Sequence, residues 1–221
     1  MATLYLRPTS DSSLGHSCSS GSSGYTLVNE ASADDDSTYI YQSVSNTSNS
    51  SVTSVFKVSG SVNSKIKISS LQLQVRAKTT KSESKDTAQL YYNLYFNGVE
   101  GSSSSSGITT SYANYGKTYN ASDFGFGDTV FDSFDAANLI VQIDTSGEKN
   151  LSKNDGFQNR VTQVYLLVTY EPVIEKSIYI KQNGSWAQCS NVYKKVNGVW
   201  VEQSMDFLGT SDISSLYYKG G

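Results

Sequence analysis

Leu71-Gln72-Leu73-Gln74-Val75-Arg76-Ala77-Lys78 alternates apolar and polar residues without a break. A period of two puts Leu71, Leu73, Val75 and Ala77 on one face of a strand and Gln72, Gln74, Arg76 and Lys78 on the other, one face buried and one wet. The period recurs at Leu90, Tyr92, Leu94 and Phe96, which run into Asn97-Gly98, at Leu139, Val141 and Ile143, and at Val164, Leu166, Val168 and Tyr170 before Pro172. Thr38 to Tyr41 and Val52 to Val58 read as further short strands. No segment of helical length carries a 3.6-residue period, and a single helical turn is expected near Asp132 to Asn138. Many short alternating strands joined by polar turns predict an antiparallel sandwich or barrel. The stretch up to residue 24 is Ser/Gly-rich and weakly patterned, and Gly101 to Gly107 reads as a loop too polar to order itself.

Composition narrows the function classes. The 221 residues are 17% charged with a net charge of −3, so binding to nucleic acid through phosphate neutralisation is not expected. The 16 tyrosines suit half-buried strands and equally suit recognition surfaces. No stretch approaches the roughly 20 apolar residues of a membrane span, and Met1 to Pro8 lacks the apolar core of a signal peptide. Synthesis in the cytoplasm as a soluble chain is the expectation. Cys18 and Cys189 stand at opposite ends of the chain, fit no metal spacing and read as free thiols. The Asn-x-Ser/Thr triplets at Asn46, Asn49, Asn120 and Asn150 read as chance matches in a Ser-rich chain.

The last fifth of the chain holds a duplication. Ile178 to Trp186 is followed at an offset of 14 residues by Val192 to Trp200, with Tyr, Lys, Asn-Gly and Trp in register. Asn-Gly suits a type I′ turn, which needs positive φ at both central positions, so each copy reads as a β-hairpin with a tryptophan just past its turn. Pro172 ends the last strong strand. The expected division is a sandwich domain over residues 1–172 and a tandem hairpin module with a tail over 173–221.

The two tryptophans of the chain, Trp186 and Trp200, are the main binding candidates, together with Tyr179 and Tyr193. They stack on sugar rings or partner side chains in one reading, and staple a tiny module in the other. Asp34-Asp35-Asp36 poses a similar choice. Clustered carboxylates suit calcium, but the spacing is not that of an EF-hand loop, and a solvated turn competes. Asp128, Asp132 and Asp135 pose it again. His16 beside Cys18 has the residue types of a base and nucleophile, yet nothing nearby orients the pair, and the reading is a polar surface histidine. No cofactor and no catalytic residue is expected.

Several motifs in fixed order carry a family likeness: Leu6-Arg7-Pro8-Thr9 before a Ser/Gly-rich loop, Leu27 to Glu30 and then Asp34 to Ile40, Ile68 to Ala77, and Arg160 to Tyr170. With the duplicated hairpins, these resemble the jelly-roll-like β-sandwich domains of bacteriophage and prophage virion structural proteins. The resemblance implies a non-enzymatic virion component made in the host cytoplasm. Its expected partners are other virion proteins, further copies of itself in a trimer, and a host-surface glycan, with tail- or fibre-associated attachment as its role. The residues leave two alternatives standing: a capsid decoration or head-fibre protein, and a carbohydrate-binding or polysaccharide-degrading protein. The fold expectation is all-β, an antiparallel jelly-roll sandwich with a small C-terminal hairpin module.

Overall fold

The computed structural model describes residues 1–45, 49–150 and 156–173, and beyond them the backbone of 179–182, 185–188, 192–196 and 198–203. The chain divides into two compact units, Met1–Val173 and Ile174–Gly221. Among the described residues, nine strands of four or more residues build the first. They are β1 Ala2–Leu14, β2 Ile40–Val44, β3 Ser50–Ser59, β4 Ile66–Thr79, β5 Thr87–Phe96, β6 Ser104–Gly107, β7 Ala113–Asn120, β8 Leu139–Glu148 and β9 Phe157–Pro172.

The neighbours are antiparallel throughout. One sheet runs β2-β9-β4-β7 and the other β3-β8-β5-β6. Consecutive strands β2 and β3 thus lie in different sheets, as do β4 and β5, which is the double Greek key of a jelly roll. Strand β1 belongs to both sheets. Ala2 to Leu6 pairs with β9, and Arg7 to Leu14 pairs with β3. Pro8, which has no N–H to donate, sits just after the change of sheet, where the register slips. Hydrogen bonding is therefore continuous through twelve strands when the short ones are included.

The alternation read from sequence is the alternation that builds the core. Leu71, Leu73, Val75 and Ala77 of β4 and Val164, Leu166 and Val168 of β9 face Phe56 and Val58 of β3, Leu90 and Leu94 of β5, and Leu139, Val141 and Ile143 of β8 in one buried cluster. One end is closed by aromatic rings, with Phe96 packed edge-on against Phe124 at 6.1 Å and Phe126 at 4.9 Å between centroids. The turn after β5 has Asn97 at φ 50° and Gly98 at φ 77°, the backbone that Asn-Gly favours. A 3-10 turn at Ala136–Asn138 lies in the segment where one helical turn was expected.

Two segments depart from the sequence expectation. The weakly patterned start contains the long strand β1, and the Ser/Gly-rich stretch after it is pinned by Asp11, whose carboxylate accepts from the Gly24 and Tyr25 amides at 2.9 and 2.8 Å. The Ser-rich segment is ordered in part: Ser104–Gly107 pairs along the edge of β5 as β6. Edge pairing uses backbone groups alone, so serines need no apolar pattern to join it. Strand β7 carries Tyr115 and Tyr119, and Tyr119 is buried against Phe124.

In the second unit the duplicated motif forms two hairpins. Strands β10 Tyr179–Gln182 and β11 Ser185–Gln188 pair with Lys181 opposite Trp186. Strands β12 Val192–Val196 and β13 Val199–Gln203 pair with Lys195 opposite Trp200. Gly198 has φ 84°. Residues 204–221 lie outside the described residues. Because β9 ends at Pro172 and the Val173 amide still donates to Lys65 O at 2.8 Å, a chain stopped after Val173 is expected to melt cooperatively near the full-length midpoint. Calorimetry of the two chains checks this, and an aggregated short chain would mean that the hairpins complete its core.

Candidate functional site

The outer face of the second sheet is polar and concave. Polar side chains of three strands meet there: Ser51 and Thr53 of β3, Gln142 and Asp144 of β8, Tyr91 and the buried Asn93 of β5. Glu100 and Ser103, from the connection to β6, form a rim, and the cleft encloses about 390 Å³. The register sets Asp144 between Thr53 and Tyr91 in one row across the strands, and Gln142 beside Asn93 in the next. The volume lies within the roughly 300–1,000 Å³ of small-molecule sites.

A hydrogen-bond chain fixes the side chains of this face. The Tyr95 hydroxyl donates to Gln142 Oε1 at 3.2 Å, and Gln142 Nε2 donates to Asp144 Oδ2 at 3.0 Å. Asn93 Nδ2 donates to Glu100 Oε1, and Asn93 Oδ1 accepts from the Leu94 amide at 2.9 Å. Burial, followed by the charge of Glu100, raises the Tyr95 phenol above its usual range, which keeps it a donor. Asp144 Oδ1 is buried and has no hydrogen-bond partner. Tyr91 stands over the cleft with 40% of its surface exposed.

His16 lies beneath this face and corrects the expectation of a surface histidine. It is 4% exposed. Its Nδ1 meets Ser54 Oγ at 2.7 Å and its Nε2 meets Thr145 Oγ1 at 2.9 Å. Ser54 and Thr145 adjoin the cleft residues Thr53 and Asp144 in the chain, so the ring ties β3 to β8 below the floor. Burial holds its pKa down at about 4, against the opposing charge of Asp144. With both nitrogens occupied by hydroxyls, His16 makes no base for Cys18. That thiol is free, and burial pushes its pKa up. Cys189 lies outside the described residues.

The acidic run clamps a loop onto the other sheet. Asp35 takes the Arg76 guanidinium with both oxygens, at 2.6 and 2.8 Å. Asp36 takes Lys78 at 2.6 Å and Arg160 at 2.8 Å. Asp34 accepts from the Thr38 amide at 3.0 Å. The Arg76 hydrogen bond holds the Asp35 carboxyl below its usual range, and that from Lys78 does the same for Asp36. In the acidic run Asp34-Asp35-Asp36, where calcium and a solvated turn were the alternatives, Asp35 and Asp36 are neutralised by three cations. Among the described residues no group of three or more acidic, His or Cys side chains is placed to hold a metal. Asp128 pairs with Lys67 at 2.5 Å, Asp132 with Lys65 at 3.5 Å, and Asp135 accepts from the Ala137 amide at 2.9 Å.

The side chains of Trp186, Trp200, Tyr179 and Tyr193 lie outside the described residues, and only the strand register above is fixed for them. The cleft was missed from sequence. Its signal is present as polar residues at i and i+2 on the wet faces of β3, β5 and β8, but only the strand order brings them together. Among the described residues no helix is long and apolar enough to cross a membrane.

No family model matches the chain, and no curated protein matches it by sequence. Solved structures resemble its fold distantly. A CBM4 structure aligns at TM-score 0.34 and 11% identity over 63% of this chain and 90% of its own. The enzymatically active domain of bacteriophage CBA120 tailspike protein 4 aligns at 0.36 and 12% over 75% of this chain and 19% of its own. The N-terminal cellulose-binding domain of Cellulomonas fimi β-1,4-glucanase C aligns at 0.30 and 14% over 66% and 86%. Likenesses of this degree transfer no residue and no ligand to this chain.

Proposed function

We propose that the protein is a non-enzymatic carbohydrate-binding sandwich whose binding face is the outer surface of the second sheet. The observation that carries this reading is the cleft in which Tyr91, Asn93, Gln142, Asp144 and Glu100 converge. A sugar ring presents apolar C–H faces edged by hydroxyls. An exposed tyrosine ring covers the first, and carboxamides and carboxylates already oriented by neighbours serve the second as donors and acceptors. Preorganisation lowers the ordering cost of binding. The shallow, polar shape suits a wet interface with bridging waters.

Glu100 and Asp144 in one cleft support polysaccharide hydrolysis as the rival reading, since glycosidases work through a carboxyl pair. Each has one oxygen engaged by a neighbouring amide, which favours holding a ligand. A glycan array followed by a reducing-end assay on every hit tests both. Binding without release of reducing ends is expected; release that disappears in Glu100→Gln would establish hydrolysis instead.

The order of the sequence motifs supports placing this module on a bacteriophage or prophage-derived particle. There a trimer held to other virion proteins would present the cleft to a host-surface glycan. Closed cyclic oligomers are the common arrangement for such components. Light scattering is expected to give three times the chain mass of 24.0 kDa, and a monomer at high micromolar concentration would contradict it.

A further inference from the structure

We propose that the cleft selects uncharged sugars and turns away acidic ones, with Asp144 as the specificity-determining acceptor. This rests on the carbohydrate-binding reading above. Its lining contains two carboxylates, Glu100 and Asp144, and no Lys, Arg or His. Among the described residues neither carboxylate meets a cation within ion-pair distance, whereas the acids on the other sheet do. Lys117, behind the rim, has its ammonium on the Ser102 carbonyl, on Ser102 Oγ at 2.6 Å and on the Ser103 carbonyl at 3.2 Å. His16, below the floor, is neutral at physiological pH. The field in the cleft is therefore negative.

Asp144 adds a chemical demand. It lines the cleft, and its Oδ2 accepts a single amide hydrogen from Gln142, which leaves acceptor capacity on the carboxylate. A ligand that supplies a further donor to the carboxylate uses that capacity. A sugar hydroxyl supplies one, and the resulting bond to an ionised oxygen is of the stronger, charge-assisted kind. The carboxylate of a uronic acid supplies none and adds a like charge at short range. Rejection by an unpaired or repelled group discriminates more sharply than a shape mismatch.

The test uses the full chain and matched hexamers of glucose, galactose, mannose and N-acetylglucosamine, alongside hexamers of the three hexoses' uronic acids. Titration calorimetry is run at neutral pH and physiological salt. At least one neutral hexamer is expected to bind at least about tenfold more tightly than its uronate, a difference of about 1.4 kcal/mol. Glu100→Gln with Asp144→Asn, which keeps the shape and removes both charges, is expected to narrow that ratio. A uronate that binds the wild type as well as its neutral partner, and is lost in Tyr91→Ala, would overturn the selectivity while leaving the cleft as a carbohydrate site. Failure of every hexamer to bind at millimolar concentration, or binding indifferent to both Tyr91→Ala and Gln142→Ala, would overturn the selectivity and the carbohydrate reading together.

Discussion

Between pH 7 and pH 4 the unfolding free energy of the first unit is expected to fall by about 3 kcal/mol, and one side chain carries most of the loss. His16 is neutral in the fold, with its pKa lowered from 6.5 to about 4 by burial. The unfolded chain takes up the proton at the ordinary value, so it binds more protons than the native state throughout this interval. Stability then falls as the pH falls, by about 1.4 kcal/mol for each unit between the two values. The ion pairs of Asp35 and Asp36 act in a different window. Their folded-state pKa values are lowered, so their contribution is present above the unfolded value of about 3.9 and is lost only below it. Urea titrations at half-unit intervals separate the two. His16→Gln is expected to be less stable at pH 7, because one of two buried hydrogen bonds goes, and nearly flat down to pH 4. A wild type as flat as the variant would remove the buried histidine from the account.

The second large effect is on binding. Tyr91→Ala is expected to weaken the affinity for a bound glycan by roughly 30-fold or more, about 2 kcal/mol, the loss typical of truncating an aromatic anchor at the centre of an interface. The melting temperature is expected to stay within a few degrees, because Tyr91 is 40% exposed and exposed positions away from caps and networks change stability little. Val141→Ala, one residue from the cleft but facing the core, is expected to do the reverse. It costs about 2 kcal/mol or more of stability through the cavity it leaves and leaves the binding groups in place.

The fold was legible where side-chain pattern decides backbone. Leu71 to Ala77, Leu90 to Phe96 and Val164 to Val168 alternate because one side of each strand must be dry, and that requirement is written in the residues themselves. The Asn97-Gly98 turn was legible for the same reason, since few other pairs tolerate its dihedrals. Strand β6 was not legible: Ser104 to Gly107 join the sheet through backbone groups that every residue possesses. Strand β1 was obscured because it serves two sheets and its dry side changes partner at Pro8. His16 carried no mark of burial, since its neighbours are Gly and Ser and the hydroxyls that satisfy it come from Ser54 and Thr145, far along the chain.

The candidate site was illegible for a further reason. Tyr91, Asn93, Gln142, Asp144 and Thr53 are the polar half of each alternation, the half a core-seeking reading passes over. What unites them is the order β3-β8-β5, which follows from the jelly-roll winding and from no local pattern. The duplicated Trp hairpins, by contrast, stood out in sequence because repetition is visible without a fold.

Amide shift mapping therefore distinguishes the cleft from the hairpins most directly. Isotope-labelled full-length protein is titrated with the tightest hexamer, and the residues whose amide signals move are located. Shifts are expected to concentrate at Tyr91, Asn93, Glu100, Gln142 and Asp144, with Tyr179, Trp186, Tyr193 and Trp200 unmoved. Shifts confined to the two tryptophan hairpins, with the second sheet unmoved at saturation, would contradict this.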